Sequence, residues 1–490
     1  MAETLAQRVV NTFGLTKDQR TSALERGKNI IVTAGAGSGK TRTLVARYAS
    51  LLADGLSPRL VVAITFTEKA AREMRSRLRG ALLNLVSKAD TLDERAFWTS
   101  LNNQMDSARI GTIHSLCAEI LRAHPAEAGV DPRFDVIDEG LAKTLKKQLV
   151  ETVVIGMVSQ TEYRPLFQAL GTQGVQDLLA TLLDKRLEAS EIFASALDGD
   201  AIVRSHLEVR FHAPAVMDCN KELRGFTERQ VFDDAGDKLA PQIIDLLKEW
   251  QSAEEAFAKG DIIVCTQHLY KARRDYLKKG AGKKGRVKEI HADLQAVYDE
   301  FLDPLIGGAN SKDEPPSAES EATFKTILPL VEKSFETLHQ SYRSELQLRH
   351  ALDFDDLEYG AMSLLQQDAI RAVWQNEVQA LLVDEFQDTN PRQRNIVDAL
   401  AGTGGRLFVV GDDRQSIYRF RRADVTVFRE VQSRARAQGD LVLDLDITYR
   451  AHEPLLNATG NLLAGVMGTE DRPGQPFYVP FRPLNAHRKA

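Results

Sequence analysis

The sequence predicts an α/β protein: a mostly parallel sheet flanked by helices and interrupted by a large helical insertion. Three observations predict it. Short apolar runs at Ile30–Thr33, Ala380–Val383 and Leu407–Val410 each lead into glycine, acidic or polar residues, as buried parallel strands do when their C-terminal ends face a ligand. A glycine-rich turn at residues 35–39 passes directly into a helix-forming stretch. Between the first and second apolar runs, residues 140–350 carry apolar side chains at three- and four-residue steps, the spacing of amphipathic helices.

The bulk numbers fit this frame. A chain of 490 residues exceeds one ordinary core and implies about two to four domains or subdomains. Hydrophobic residues make up 43% and charged residues 27%, the ordinary balance of a globular protein. No run approaches the ~18 apolar residues of a membrane span, and MAETLAQRVV has no basic and apolar leader pattern. Cys117, Cys219 and Cys265 lie far apart, without metal-type spacing, which suits a reducing cytoplasm. The net charge of −6 leaves nucleic-acid binding, if any, to local basic surfaces.

The first element is NIIVTAGAGSGKTRTLVARYASLLA, residues 29–53. Ile30–Thr33 is the strand and 40–52 the helix. Between them Ala34, Gly35, Ala36, Gly37, Ser38, Gly39, Lys40 and Thr41 form a phosphate-binding loop, with Ala34 where the strict pattern has glycine. Glycines let backbone N–H groups turn inward around a phosphate, and the helix N-terminus adds partial positive charge. Lys40 would reach the β and γ phosphates, and the Thr41 hydroxyl would serve Mg²⁺. Upstream, Thr16 and Gln19 fit a helix capping box as well as they fit a nucleotide contact through Gln19.

The second element is ALLVDEFQDTNPRQ, residues 380–393. The strand delivers Asp384 and Glu385 beside the phosphate loop, and Asn390-Pro391 opens a helix. Asp384 would hold Mg²⁺ through water, and Glu385 would position and deprotonate an attacking water. The third is GRLFVVGDDRQSIYRFRRADVTVF, residues 405–428. Gln415 could contact a γ-phosphate. Tyr418 and Phe420, interleaved with Arg419 and followed by Arg421 and Arg422, suit stacking and phosphate contact on a single strand, or equally an amphipathic turn that fills a core.

Taken together, GAGSGKT (35–41), ITFTEKAAREM (64–74), GTIHSLCAEILR (111–122), FDDL (354–357), VDEFQDT (383–389), GDDRQSIYRFR (411–421) and ITYR (447–450) resemble, in letters, order and spacing, the motifs of the UvrD/Rep-type superfamily 1 DNA helicases. HPAEAGVDPRFDVIDE (124–139) looks most like the AddA/RecB helicase–nuclease branch. The resemblance covers residues 12–140 and 350–455. It implies a RecA-like ATPase domain from residues 1–125 and 350–440, a mainly helical insertion at 126–349, and the truncated beginning of a second RecA-like domain at 441–490. It also implies roles. Gln19 looks like the adenine-reading glutamine and Arg42 like the arginine near the base. Phe66, Thr112, His114, Tyr418 and Phe420 look like single-strand DNA contacts, and Gln415 like the γ-phosphate sensor. Tyr449 would stack on adenine and Arg450 would touch the γ-phosphate. Thr448 stands where the family usually has Asn.

The implied function is ATP- and Mg²⁺-dependent movement along single-stranded DNA at a duplex junction, in DNA repair or recombination. A second helicase or nuclease subunit is a possible partner, and no membrane is involved. The alternatives are a nucleotide-dependent DNA-binding module or partner-completed subunit without turnover of its own, and some other phosphate-loop enzyme. The stacking aromatics and the setting of Gln415 argue against the last. Nothing after Arg450 resembles the family's later motifs, so the chain is expected to be a fragment. In the middle, 141–154, 240–258 and 324–352 read as helices, 307–324 as a mobile loop, and the basic run 271–288 as either a duplex contact or a solvated turn.

Overall fold

The computed structural model describes residues 4–195, 199–229, 239–277, 286–306, 317–419, 422–471 and 477–488. Phe420, Arg421 and the centres of the basic run and of the expected loop, 278–285 and 307–316, lie outside the described residues.

The chain forms two compact units, residues 1–139 with 347–490, and residues 140–346. The strands in chain order are β1 (Ile30–Ala34), β2 (Val61–Ile64), β3 (Ile110–Gly111), β4 (Asp135–Val136), β5 (Ala351–Leu352), β6 (Ala380–Val383), β7 (Leu407–Gly411), β8 (Leu441–Leu445), β9 (Ile447–His452) and β10 (Asn485–Arg488). Six of them make one parallel sheet in the order β3-β2-β6-β7-β1-β8. Strands β1, β6 and β7 stand where the apolar runs predict them.

Residue alternation explains how the sheet is covered on both faces. Ile31, Val62, Leu381 and Val409 join helices Ile113–Ala123, Phe354–Gln366 and Pro391–Ala401 in one core. Their neighbours Ile30, Val32, Ala63, Leu382, Phe408 and Val410 join helices Lys40–Ala53 and Glu68–Ser87 in the other. Strands buried on both faces need continuous apolar runs, which is why the signal is short and unbroken.

The unit boundaries differ from the sequence expectation at both ends. Residues 126–139 and 347–349 belong to the sheet unit, because β4 pairs in parallel with β5 where the chain leaves and re-enters it. Residues 441–445, assigned by sequence to a second domain, are the sixth strand of the first sheet: Leu441–Leu445 pair with Ile30–Ala34 throughout. β9 and β10 form a separate two-stranded parallel sheet.

The second unit is helical throughout most of its described residues, with helices that include Glu139–Val158, Leu239–Ala258 and Ala318–Leu348. The last of these ends before β5, so 349–352 are not helical as expected. One core gathers Phe211, Trp250, Leu269, Leu294 and Tyr298, with Phe211 and Trp250 stacked at 4.8 Å. Arg273, 4% exposed, sits in a π-helical turn and pairs with Asp303 at 3.1 Å.

Candidate nucleotide and nucleic-acid site

The phosphate loop runs from the buried end of β1 into helix Lys40–Ala53. Gly37 and Gly39 adopt φ of 75° and 90°, a region that strains residues with a Cβ. Crowding adds a second reason for glycine, since a Cβ at Gly37 would lie 2.5 Å from Arg450 Cβ and 2.8 Å from Thr448 Oγ1. Inside the loop, the Ser38 amide and hydroxyl both donate to Gly35 O, at 3.1 and 2.8 Å. That bracing fixes the turn at the start of a 14-residue helix, whose first N–H groups have no partner within the helix.

Gln19 fills a structural part as well as the one suggested by sequence. Its Oε1 accepts from the Thr16 amide at 3.0 Å in a complete capping box. Its Nε2 donates to Ser38 O at 2.8 Å, so the buried side chain props the phosphate loop. Arg42 is exposed beside Gly14.

The acids arrive on β6. The Asp384 amide donates to Ile64 O at 2.9 Å, carrying the β2–β6 ladder one residue past the strand. Glu385 then takes φ 50°, an uncommon left-handed conformation for a residue with a side chain. This turn points its carboxylate back to the loop, where Lys40 Nζ lies 2.7 Å from Oε2. Gln387 Nε2 donates to the same oxygen at 2.9 Å. Asp384 is pushed up to about 6, by burial first and by the charge of Glu385 second, with Lys40 opposing. Asp388 is raised to about 6 for the same reasons. Three carboxylates thus crowd one lysine, an arrangement that favours added positive charge.

From Glu385 a hydrogen-bonded chain crosses to β7. Gln387 Oε1 accepts from the Asp412 amide at 2.9 Å. Asp412 accepts from Gln415 Nε2 at 2.6 Å and from Arg414 Nε at 2.7 Å. Two residues beyond Ser416, whose hydroxyl donates to Gln387 O, stands Tyr418. Its ring meets Phe66 at 4.7 Å. These two aromatics, distant in sequence, form one half-buried surface.

His114 lies on helix Ile113–Ala123, stacked on Phe354 at 4.3 Å with its Nε2 3.1 Å from Glu358 Oε1. Thr112 caps that helix, accepting from the Ser115 amide, and donates to Glu68 at 3.1 Å.

The β9 residues sit on the phosphate loop. Thr448 Oγ1 donates to Ala36 O at 2.8 Å, and the Tyr449 amide donates to Gly37 O at 2.9 Å. Thr448 is 1% exposed, so this residue, a small departure by letter, is a docking contact. Tyr449 meets His487 ring to ring at 4.6 Å, and Leu484 covers Gly35. Arg450 is exposed, with its Cβ against Gly37. The structure therefore gathers Gln19, the loop 34–41, Asp384, Glu385, Thr448, Tyr449 and Arg450 at one end of the sheet. Sequence reasoning missed Gln387, Asp412 and Glu358. In the pattern DEFQD the acids stand out, and nothing in the letters marks which amide will bridge them.

A family model for the UvrD/REP helicase N-terminal domain matches residues 15–436. Three relatives carry the name of the A-type subunits of ATP-dependent helicase/nucleases. The one from Pediococcus pentosaceus is 26% identical over 93% of this chain and 39% of the relative. The values are 27% in Ligilactobacillus salivarius, over 88% and 37%, and 27% in Latilactobacillus sakei, over 84% and 50%. The chain thus spans half or less of the length of these relatives. Among the described residues no helix is long and apolar enough to cross a membrane.

Proposed function

We propose, because this chain belongs to the UvrD/REP helicase N-terminal domain family, that it is the nucleotide- and DNA-binding portion of an ATP-dependent DNA helicase acting in repair or recombination. The observation that carries the proposal is the meeting of Lys40 and Glu385 at 2.7 Å. It puts a phosphate-holding cation and a water-activating carboxylate in one half-enclosed site, beside glycines whose conformation a Cβ would spoil.

The residues fit Mg²⁺ and a nucleoside triphosphate. Thr41 and Asp384 would hold the ion, and the crowded acids around Lys40 supply the charge it would balance. Bound Mg²⁺ would neutralise charge on the phosphates. Lys40 and the loop amides would bind the phosphates, Glu385 would take a proton from water, and Gln387 would keep that carboxylate aimed. Tyr449 and Arg450 would close over the nucleotide from β9. Gln415, linked to Glu385 through Asp412 and Gln387, would relay the nucleotide's state toward Tyr418 and Phe66.

Phe66 and Tyr418 would take the bases of a single strand, with Thr112, His114 and Phe420 beside them. The relatives' name supports a partner subunit in the longer protein. The test is ATP turnover by the purified chain with and without single-stranded DNA. Turnover stimulated by DNA and absent in Lys40→Ala supports the proposal. Turnover equal in the presence and absence of DNA opposes a DNA motor.

A further inference from the structure

Glu358, on helix Phe354–Gln366, is a carboxylate buried to 4% exposure. Its Oε1 lies 3.1 Å from His114 Nε2 and accepts from Gln393 Nε2 at 2.6 Å. Its Oε2 accepts from Asn390 Nδ2 at 3.1 Å and lies 3.9 Å from Arg392 Nη1. Burial alone would push this carboxyl up. The hydrogen bond and charge of His114, with the bonds from Gln393 and Asn390, outweigh burial and hold it below the ordinary glutamate value.

An ionised carboxylate only accepts hydrogen bonds, so the proton of the 3.1 Å contact belongs to His114 Nε2. Phe354 holds the ring by stacking. Nδ1 makes no hydrogen bond among the described residues. In neutral His114 that nitrogen is a lone pair, which repels a phosphate oxygen. Only the imidazolium offers N–H at both ends.

We propose that Glu358 is a positioning residue that fixes His114 as an Nε2–H donor, so that His114 binds a DNA phosphate only by taking up a proton from solvent on Nδ1. The inference rests on the DNA-binding face proposed above. Strand binding and one proton would then be linked. The charged groups on the elements packed around His114 are consistent with this. Arg392 stands behind Glu358, Asp355 pairs with Arg422, and Glu68 is held by Thr112. Cys117, one turn along the same helix, is kept neutral because burial first, and Glu358 second, push its thiol well up.

The test is the affinity of the whole chain for a labelled oligothymidylate, measured by fluorescence anisotropy across pH 5.5–8.5 for wild type, Glu358→Gln and His114→Gln. For wild type the Kd rises by up to about tenfold per pH unit above the histidine pKa. In Glu358→Gln the amide can donate to Nε2, the neutral ring can then present Nδ1–H, and the excess pH slope disappears. It disappears in His114→Gln as well, which decides the matter if Glu358→Gln misfolds. Salt titration adds a readout that packing does not move: the slope of log K against log salt is steeper by about 0.7 at pH 6 than at pH 8 in wild type alone. Equal pH slopes in all three proteins overturn the proton-linked role while leaving the DNA-binding face standing. Absence of binding by wild type at every pH overturns the face and this inference together.

Discussion

Lys40 Nζ stands 2.7 Å from Glu385 Oε2, across 345 residues of sequence. One short contact joins the phosphate loop after β1 to the acid turn after β6, and Gln387 holds the same oxygen from the other side at 2.9 Å. Lys40→Ala removes both the phosphate contact and the partner of Glu385. Mg·ATP affinity, read by calorimetry, falls by about 10- to 100-fold, the worth of one charged hydrogen bond of about 1.5–3 kcal/mol.

Glu385→Gln keeps the size and the hydrogen bond to Lys40 but cannot take a proton. It retains Mg·ATP and loses about 10²–10⁴ in turnover. Normal hydrolysis by this variant would remove Glu385 from the role of base.

Asp384 makes a pH prediction. Its folded pKa, about 6, lies above the unfolded value near 3.9. The folded state therefore binds this proton more tightly. The stability it contributes is full below about pH 4 and is lost as the pH rises through about 6. At pH 8 Asp384→Asn removes a buried charge, and the protein gains on the order of 2 kcal/mol. Thermal unfolding without Mg²⁺ shows a higher Tm for the variant at pH 8 and a smaller difference at pH 5, while Mg²⁺-dependent ATP binding is lost. A lower Tm at pH 8 would mean the carboxylate is structurally paired.

Phe66 and Tyr418 touch at 4.7 Å and so act as one surface. Each change to alanine costs about 1–3 kcal/mol of single-strand binding, the scale of one base stack. The double variant costs less than the sum, because contacting residues couple. ATP affinity stays close to wild type. Additive losses would place the rings in separate subsites.

Much of this is legible in the letters. β1, β6 and β7 are apolar on both faces and carry their signal without interruption, and the glycine-lysine-threonine turn after β1 marks the site. β8 is not separable from β9 by sequence, since LVLDLDITYR runs on without a turn residue and only pairing with Ile30–Ala34 divides it. Thr448 reads as minor because a hydroxyl's partner, here the carbonyl of Ala36, is a property of the fold. Glu358 stays hidden for the same reason: its donors come from two other helices.

The central claim is that the nucleotide site and the Phe66–Tyr418 face are coupled through Glu385, Gln387, Asp412 and Gln415. The direct measurement is the Kd for single-stranded DNA with and without a saturating non-hydrolysable ATP analogue, in wild type and Lys40→Ala. Coupling predicts a change of about 5-fold or more in wild type, within the usual range of about 1–3 kcal/mol, and none in Lys40→Ala. The same Kd in wild type with analogue demonstrably bound would contradict it.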